Sequence, residues 1–152
     1  MATPVKWGNE FLVNTNTAND QDVPAITGLA DGRFVVMWED DSHTLNDTSD
    51  AVHGQIFNAD GSKAGAEFRV NSTKDGEQIL PKVAALPDGG FVAAWVSASA
   101  GQSDIYAQVF KPDGSKSGVE ILANTTLSGF QSSHDITAVS GGFVVTWADS
   151  WK

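Results

Sequence analysis

Phe34-Val35-Val36-Met37-Trp38 returns as Phe91-Val92-Ala93-Ala94-Trp95 and again as Phe143-Val144-Val145-Thr146-Trp147, at offsets of 57 and 52 residues. Other slots repeat with it. Glu10–Asn14, Glu67–Asn71 and Glu120–Asn124 are short alternating segments that close on asparagine, and each asparagine is followed seven residues later by Gln21, Gln78 or Gln131. Gly54-Gln55-Ile56-Phe57 matches Ala107-Gln108-Val109-Phe110, and Asp60-Gly61-Ser62-Lys63 matches Asp113-Gly114-Ser115-Lys116. A fixed period of this length marks a chain built from one recurring supersecondary unit. The difference between the offsets lies mainly after Trp38, where the first repeat is longer, and so marks a loop rather than a packed element.

Each unit reads as four short strands. In the second, Pro81–Leu86 alternates, Pro87-Asp88-Gly89-Gly90 is a turn, and Phe91–Trp95 is apolar throughout. The small, mostly polar stretch Ser97–Ser103 reads as a loop; Asp104–Phe110 alternates, and Pro112-Asp113-Gly114 turns into Val119–Asn124. Short strands with regular turn signals indicate an all-β sandwich, barrel or propeller. A strand with one wet face alternates polar and apolar residues. The Phe-to-Trp strand alternates in none of its copies, so both its faces are expected to be buried. That favours three four-stranded antiparallel blades of a β-propeller, in which neighbouring blades cover the middle strands. A β-trefoil or β-prism monomer is the alternative, and a sandwich stands behind both.

The third unit is short. Strands are expected at Ser133–Val139 and Phe143–Trp147, and little chain follows. Thr3–Trp7, with Trp7 in the role of Phe57 and Phe110, and Glu10–Asn14 supply two further strands. The blades then run 15–71, 72–124, and 125–152 completed by 1–14, in a single repeat domain. Three blades are too few for an ordinary propeller, which has about four to eight. A homodimer with six blades is the expected closure.

The phrase Gly8–Thr15, Gln21–Trp38, Val52–Gly61, repeated from Glu67 to Gly114, resembles a short repeat of very large, secreted, calcium-associated bacterial surface proteins. The third copy departs from it: His134 replaces the proline and Ser140-Gly141 the Asp-Gly turn. The resemblance implies a propeller-like fold, an extracellular or cell-surface setting and a role in adhesion. It carries no catalytic motif.

Composition narrows the function. Hydrophobic residues make up 41% of 152 residues, enough for a core, and the net charge is −10. Nucleic-acid phosphates and anionic membrane surfaces are therefore poor partners, and no apolar run suggests membrane insertion. There is no cysteine, which excludes thiol chemistry and Cys-based zinc sites. No nucleophile elbow, phosphate loop or dinucleotide fingerprint is present. With only Arg33 and Arg69 as arginines, and Arg33 in a tight turn, the arginine cluster of a sialidase-type carboxylate grip is not supplied.

The up-and-down blade order puts tight turns at one end and the longer, variable loops at the other. On that variable end, Gln21, Gln78 and Gln131, with Asn14, Asn71 and Asn124, are candidate ligand pockets. A primary amide both donates and accepts, which matches the hydroxyl pairs of a sugar. The same amides equally suit capping of loop backbone. Trp151 is a candidate stacking platform, whereas Trp38, Trp95 and Trp147 read as core. Asp40, Asp41, Asp47 and Asp50, with Asn46 nearby, are candidate ligands for calcium, which takes about six to eight oxygens; a solvated acidic loop is the plainer reading. His43, His53 and His134 have no metal-binding spacing and are expected at the surface. Three functions follow: a non-catalytic carbohydrate-binding or adhesion module with repeated weak sites; a purely structural, self-assembling module; and, more remotely, a glycoside hydrolase.

Overall fold

The computed structural model describes residues 8–43 and 47–150. Among them the regular structure is entirely β: β1 (Gln21–Gly28), β2 (Phe34–Asp40), β3 (Ala51–Phe57), β4 (Phe68–Arg69), β5 (Glu77–Ala85), β6 (Phe91–Ser99), β7 (Gln102–Phe110), β8 (Lys116–Leu122), β9 (Gln131–Val139) and β10 (Gly142–Asp149). They form antiparallel sheets ordered β1-β2-β3-β4, β5-β6-β7-β8 and β9-β10. β5, the first strand of the second sheet, packs on both β1 and β9. The sheets are thus three successive units in an open arrangement, the first two complete and the third with two strands.

The apolar run buries two faces where a sheet lies on each side. Phe91, Ala93 and Trp95 of β6 join Val35, Met37, Val52 and Ile56 in the core between the first and second sheets. Val92 and Ala94, on the opposite face of the same strand, join Leu86, Ala107 and Ile136 against the third. In β2 the outward pair Val36 and Trp38 is covered by Val13. With neither a further sheet nor a third strand beside it among the described residues, β10 departs from this pattern: Trp147 is 37% exposed and Val144 46%, against 4% for Trp38 and 0% for Trp95. The expectation that Trp147 is core is corrected accordingly.

The turns follow their chemistry. Leu29–Arg33, Leu86–Gly90 and Lys111–Ser115 close by paired backbone hydrogen bonds. The loop expected at Ser97–Ser103 is instead mostly strand, because β6 and β7 run on to a two-residue turn. Ala100 and Gly101 both have positive φ (50° and 79°), the geometry that matches the twist of a tight hairpin.

Each first strand also breaks its register at the same place, two residues beyond the repeated glutamine. Val23, Leu80 and Ser133 have φ of 46°, 58° and 50°, and pairing shifts between Asp22 and Ala25 and between Ile79 and Lys82. A bulge of this kind re-aims the side chains before it. Gln78 and Gln131 are turned into the sheet interior while Gln21 stays half-buried, and the strand beyond keeps its alternation.

Glu10–Asn14 carries no strand assignment. It lies along the first sheet, where Phe11 meets Phe34 and Phe57 at centroid distances of 6.5 and 5.4 Å. Phe68 meets Phe91 and Phe110 in the same way, at 6.5 and 5.7 Å. Glu10–Asn14 therefore occupies, against the first sheet, the place that the outer segment of the first sheet occupies against the second. Thr3–Trp7 lies outside the described residues.

Candidate functional site

The acidic segment after β2 folds back over β3, and its carboxylates fall into two groups. Asp40 ends β2 with its carboxylate turned inward. Oδ2 accepts from the Trp38 indole N–H at 3.2 Å, and Oδ1 accepts from the Ser42 backbone N–H at 2.9 Å and from the Ser42 hydroxyl. Asp47 accepts from Arg69 at 2.6 Å and faces His53 Nε2 at 2.8 Å. Nδ1 of the same ring faces Glu67 Oε1 at 3.0 Å and Asp40 Oδ2 at 3.5 Å. His53 sits opposite Trp38 in the β2–β3 register and is fully buried. Asp41 and Asp50 form the second group. Asp41 pairs with exposed His43 at 3.2 Å. The Asp50 carboxyl is pushed above its ordinary range, first by burial and then by the neighbouring charges of Asp41 and Glu77.

Asp40, Asp41, Asp47 and Asp50 thus do not converge on one centre. The ligand atoms that do come together are Asp40 Oδ2, His53 Nδ1 and Glu67 Oε1, all within 4.8 Å of one another. Two carboxylates and an imidazole nitrogen suit a transition metal better than calcium, which prefers oxygen throughout. Arg69 donates to Asp47, so one guanidinium accompanies the three carboxylates gathered around His53. Asn46 lies outside the described residues. Of the histidines expected at the surface, His53 and His134 are buried and only His43 is exposed. Proximity of an acid-rich loop to a histidine in the next strand was the available signal for His53, but the sequence does not give the cross-strand register that makes the contact.

The repeated amides are positioned by the bulges and by the loops before them. Gln78 is fully buried; Oε1 accepts from the Trp95 indole N–H at 2.9 Å, and Nε2 donates to Asp75 O and Ser97 Oγ, each at 3.0 Å. Asn71 Oδ1 accepts from the Val52 N–H and Asn124 Oδ1 from the Ile105 N–H, at 2.9 and 2.7 Å. Both asparagines also donate to the carbonyl two residues on. Asn14 and Gln21 are the one matched pair, among the described residues, whose amides meet: Asn14 Nδ2 donates to Gln21 Oε1 at 2.8 Å, beside a cleft of about 130 Å³ floored by Val36 and Trp38. Gln131 is buried with neither amide atom partnered among the described residues. Trp151 lies outside them.

The second feature with chemical potential is the free edge of β10. In both complete sheets the equivalent strand is paired along its length. Phe34 lies opposite Phe57 and Trp38 opposite His53; Phe91 lies opposite Phe110 and Trp95 opposite Tyr106. The phenylalanine pairs stack at 5.1 and 4.9 Å with interplanar angles of 10°. On β10, Phe143 and Trp147 have no such strand opposite them among the described residues. An open edge of this kind presents unpaired backbone donors and acceptors.

The chain matches no protein-family model, no curated protein and no solved structure.

Proposed function

We propose that this chain is a non-catalytic assembly module: three units of propeller-type blade in an open arc that closes with a second copy into six. The carrying observation is the pair of uncovered ends. Phe11, Leu12 and Ile26 are exposed beside the first sheet, and Val139 and Val144 on the outward face of the third. Apolar patches left open at the flanks of a repeat array are what a neighbouring unit normally covers. The amides support assembly over sugar recognition, since Gln78, Asn71 and Asn124 are buried and committed to indole and backbone partners. The setting implied by the resemblance, a repeat of extracellular or cell-surface proteins, accords with such a role.

Light scattering on a sizing column tests the reading. A dimer of about twice 16.0 kDa is expected. A well-folded monomer at tens of micromolar overturns it. Binding to an immobilised glycan panel that is lost in Gln78→Ala while the fold persists would return the amides to the ligand-binding reading.

A further inference from the structure

The open edge of β10 has a defined complement, because the same edge is filled twice elsewhere in the chain. On the first sheet the filling strand reads His53-Gly54-Gln55-Ile56-Phe57, and on the second Tyr106-Ala107-Gln108-Val109-Phe110. Position by position the two agree: a ring, a small residue, glutamine, a β-branched residue and phenylalanine. The register gives each position its reason. The final phenylalanine stacks on the phenylalanine that opens the preceding strand. The ring faces that strand's tryptophan, edge-on for His53 against Trp38 at 6.3 Å and stacked for Tyr106 against Trp95 at 6.2 Å. Gln55 and Gln108 are buried opposite Val36 and Ala93, and each donates to the carbonyl of its own next residue and to a second carbonyl further along, Gly65 O and Ser117 O. The small residue leaves room for the outer segment: a Cβ on Gly54 would come within 2.9 Å of the Phe68 ring.

β10 offers the matching half. Phe143 and Val145 correspond in the repeat to Phe34 and Val36, and Trp147 to Trp38. Phe143 is partly buried with no aromatic ring stacked on it among the described residues, and Trp147 is exposed where its counterparts are covered. Among the described residues no free segment supplies the complement. Gly8, Gly65 and Gly118 share a left-handed φ of 86°, 86° and 75° and each stands two residues before the glutamate of an outer segment. Gly65 and Gly118 each follow the filling strand's phenylalanine by eight residues. Gly8 therefore stands in the slot of the turn that precedes each outer segment. The matching strands of a second copy are buried in their own sheets.

We propose that β10 is an acceptor for an extended segment of another polypeptide carrying ring–small–Gln–β-branched–Phe, added antiparallel so that its phenylalanine stacks on Phe143 and its ring covers Trp147. Main-chain pairing supplies affinity and the alternate side chains supply specificity, as in other strand additions to a sheet edge. This goes beyond the dimer reading and does not depend on it: closing the arc with a second copy leaves one such edge on each protomer.

The test uses the full chain and a synthetic peptide with the sequence of residues 104–110 (Asp-Ile-Tyr-Ala-Gln-Val-Phe), flanked by lysines for solubility. Titration is followed by calorimetry and tryptophan emission, with oligomeric state recorded by light scattering. Saturable binding with a change in emission is expected. It should weaken at least tenfold when the peptide phenylalanine becomes alanine, and likewise in Phe143→Ala, whose fold is checked by circular dichroism. Trp147→Ala should bind with the emission change reduced, which keeps a readout if Phe143→Ala unfolds. No binding, or equal binding of a peptide with the same residues in scrambled order, overturns the proposal. A monomer that binds the peptide removes the dimer and leaves the acceptor edge; a dimer that does not bind it does the reverse.

Discussion

Replacing Gln78 with alanine separates a structural strut from a ligand contact, and the cost can be worked out atom by atom. Gln78 is fully buried and its Oε1 is the acceptor for the Trp95 indole N–H. Truncation strands that donor inside the core, at a cost of about 1–3 kcal/mol. Losing the side chain beyond Cβ removes a further methylene's worth of burial, about 0.8 kcal/mol. The remaining partners recover: the Ser97 hydroxyl rotates, and Asp75, an exposed residue, passes its carbonyl to water. The total is about 2–4 kcal/mol, a large fraction of the stability of a domain of this size. Gln21 occupies the same slot in the first repeat, but its bonds run to Asn14 and to the carbonyls of Ala18 and Asn19, while Trp38 donates to Asp40 instead. Gln21→Ala should therefore cost less than about 1 kcal/mol. Urea denaturation followed by tryptophan emission reads both. At a slope of about 2 kcal/mol per molar, Gln78→Ala lowers the midpoint by about 1–2 M. Equal losses in the two variants, or a loss below about 1 kcal/mol in Gln78→Ala, would refute the assignment of Gln78 as the tryptophan's partner.

Further outcomes follow from the same geometry. Gly76→Ala places a Cβ 2.3 Å from the Ala98 carbonyl oxygen at a φ of +73°; thermal unfolding should show a loss well above that of Gly101→Ala, which shares the positive φ (+79°) but has open space, the backbone conformation alone costing about 1–2 kcal/mol. Arg69→Met leaves Asp47, Asp40 and Glu67 gathered around His53 without their guanidinium, and chemical denaturation should register about 3–5 kcal/mol; a loss under about 1 kcal/mol would show that Asp47 is held by His53 alone. Burial holds His134 below its ordinary pKa, opposed by its contact with Ala94 O and by Asp135 and reinforced by Lys82. The unfolded chain therefore binds the extra proton first, so this contribution is complete above the unfolded imidazole value and is lost as pH falls through it. Stability measured between pH 7.5 and 5 should decline in the wild type and decline less in His134→Gln; identical slopes would place the pH dependence elsewhere. Glu39 and Asp50, whose carboxyls burial raises, act with the opposite sign, gaining stability as pH falls through their folded values.

The repeat, the all-β class and the strands of the second unit were legible in the residues because they rest on local chemistry. Asp-Gly turns sit at their turns, and the unbroken apolar run of β6 is buried on both faces, as its lack of alternation required. The glutamines were legible as a recurring slot suited to loop capping, but the bond from Trp95 to Gln78 was not. Their direction depends on bulges at Val23, Leu80 and Ser133, non-glycine residues in a conformation that propensity does not forecast. The stretch Ser97–Ser103 was misread because small polar residues signal a loop, whereas pairing between β6 and β7 carries both strands on to Ala100.

The sequence by itself determined how many units there are, where each turns, and which strand of each is apolar on both sides. These follow from composition, period and turn chemistry, which act within a few residues. Tertiary structure alone decided the rest. Whether an apolar strand is buried depends on what stands beside it, so matching patterns bury Trp95 fully and leave Trp147 partly exposed. Whether an acidic loop is a solvated surface or a partner for a histidine depends on cross-strand register, which set Asp40 and Asp47 around His53 while Asp41 and Asp50 stayed apart. Packing partners and register are properties of segments far apart in the chain, and they exist only once the sheets have come together.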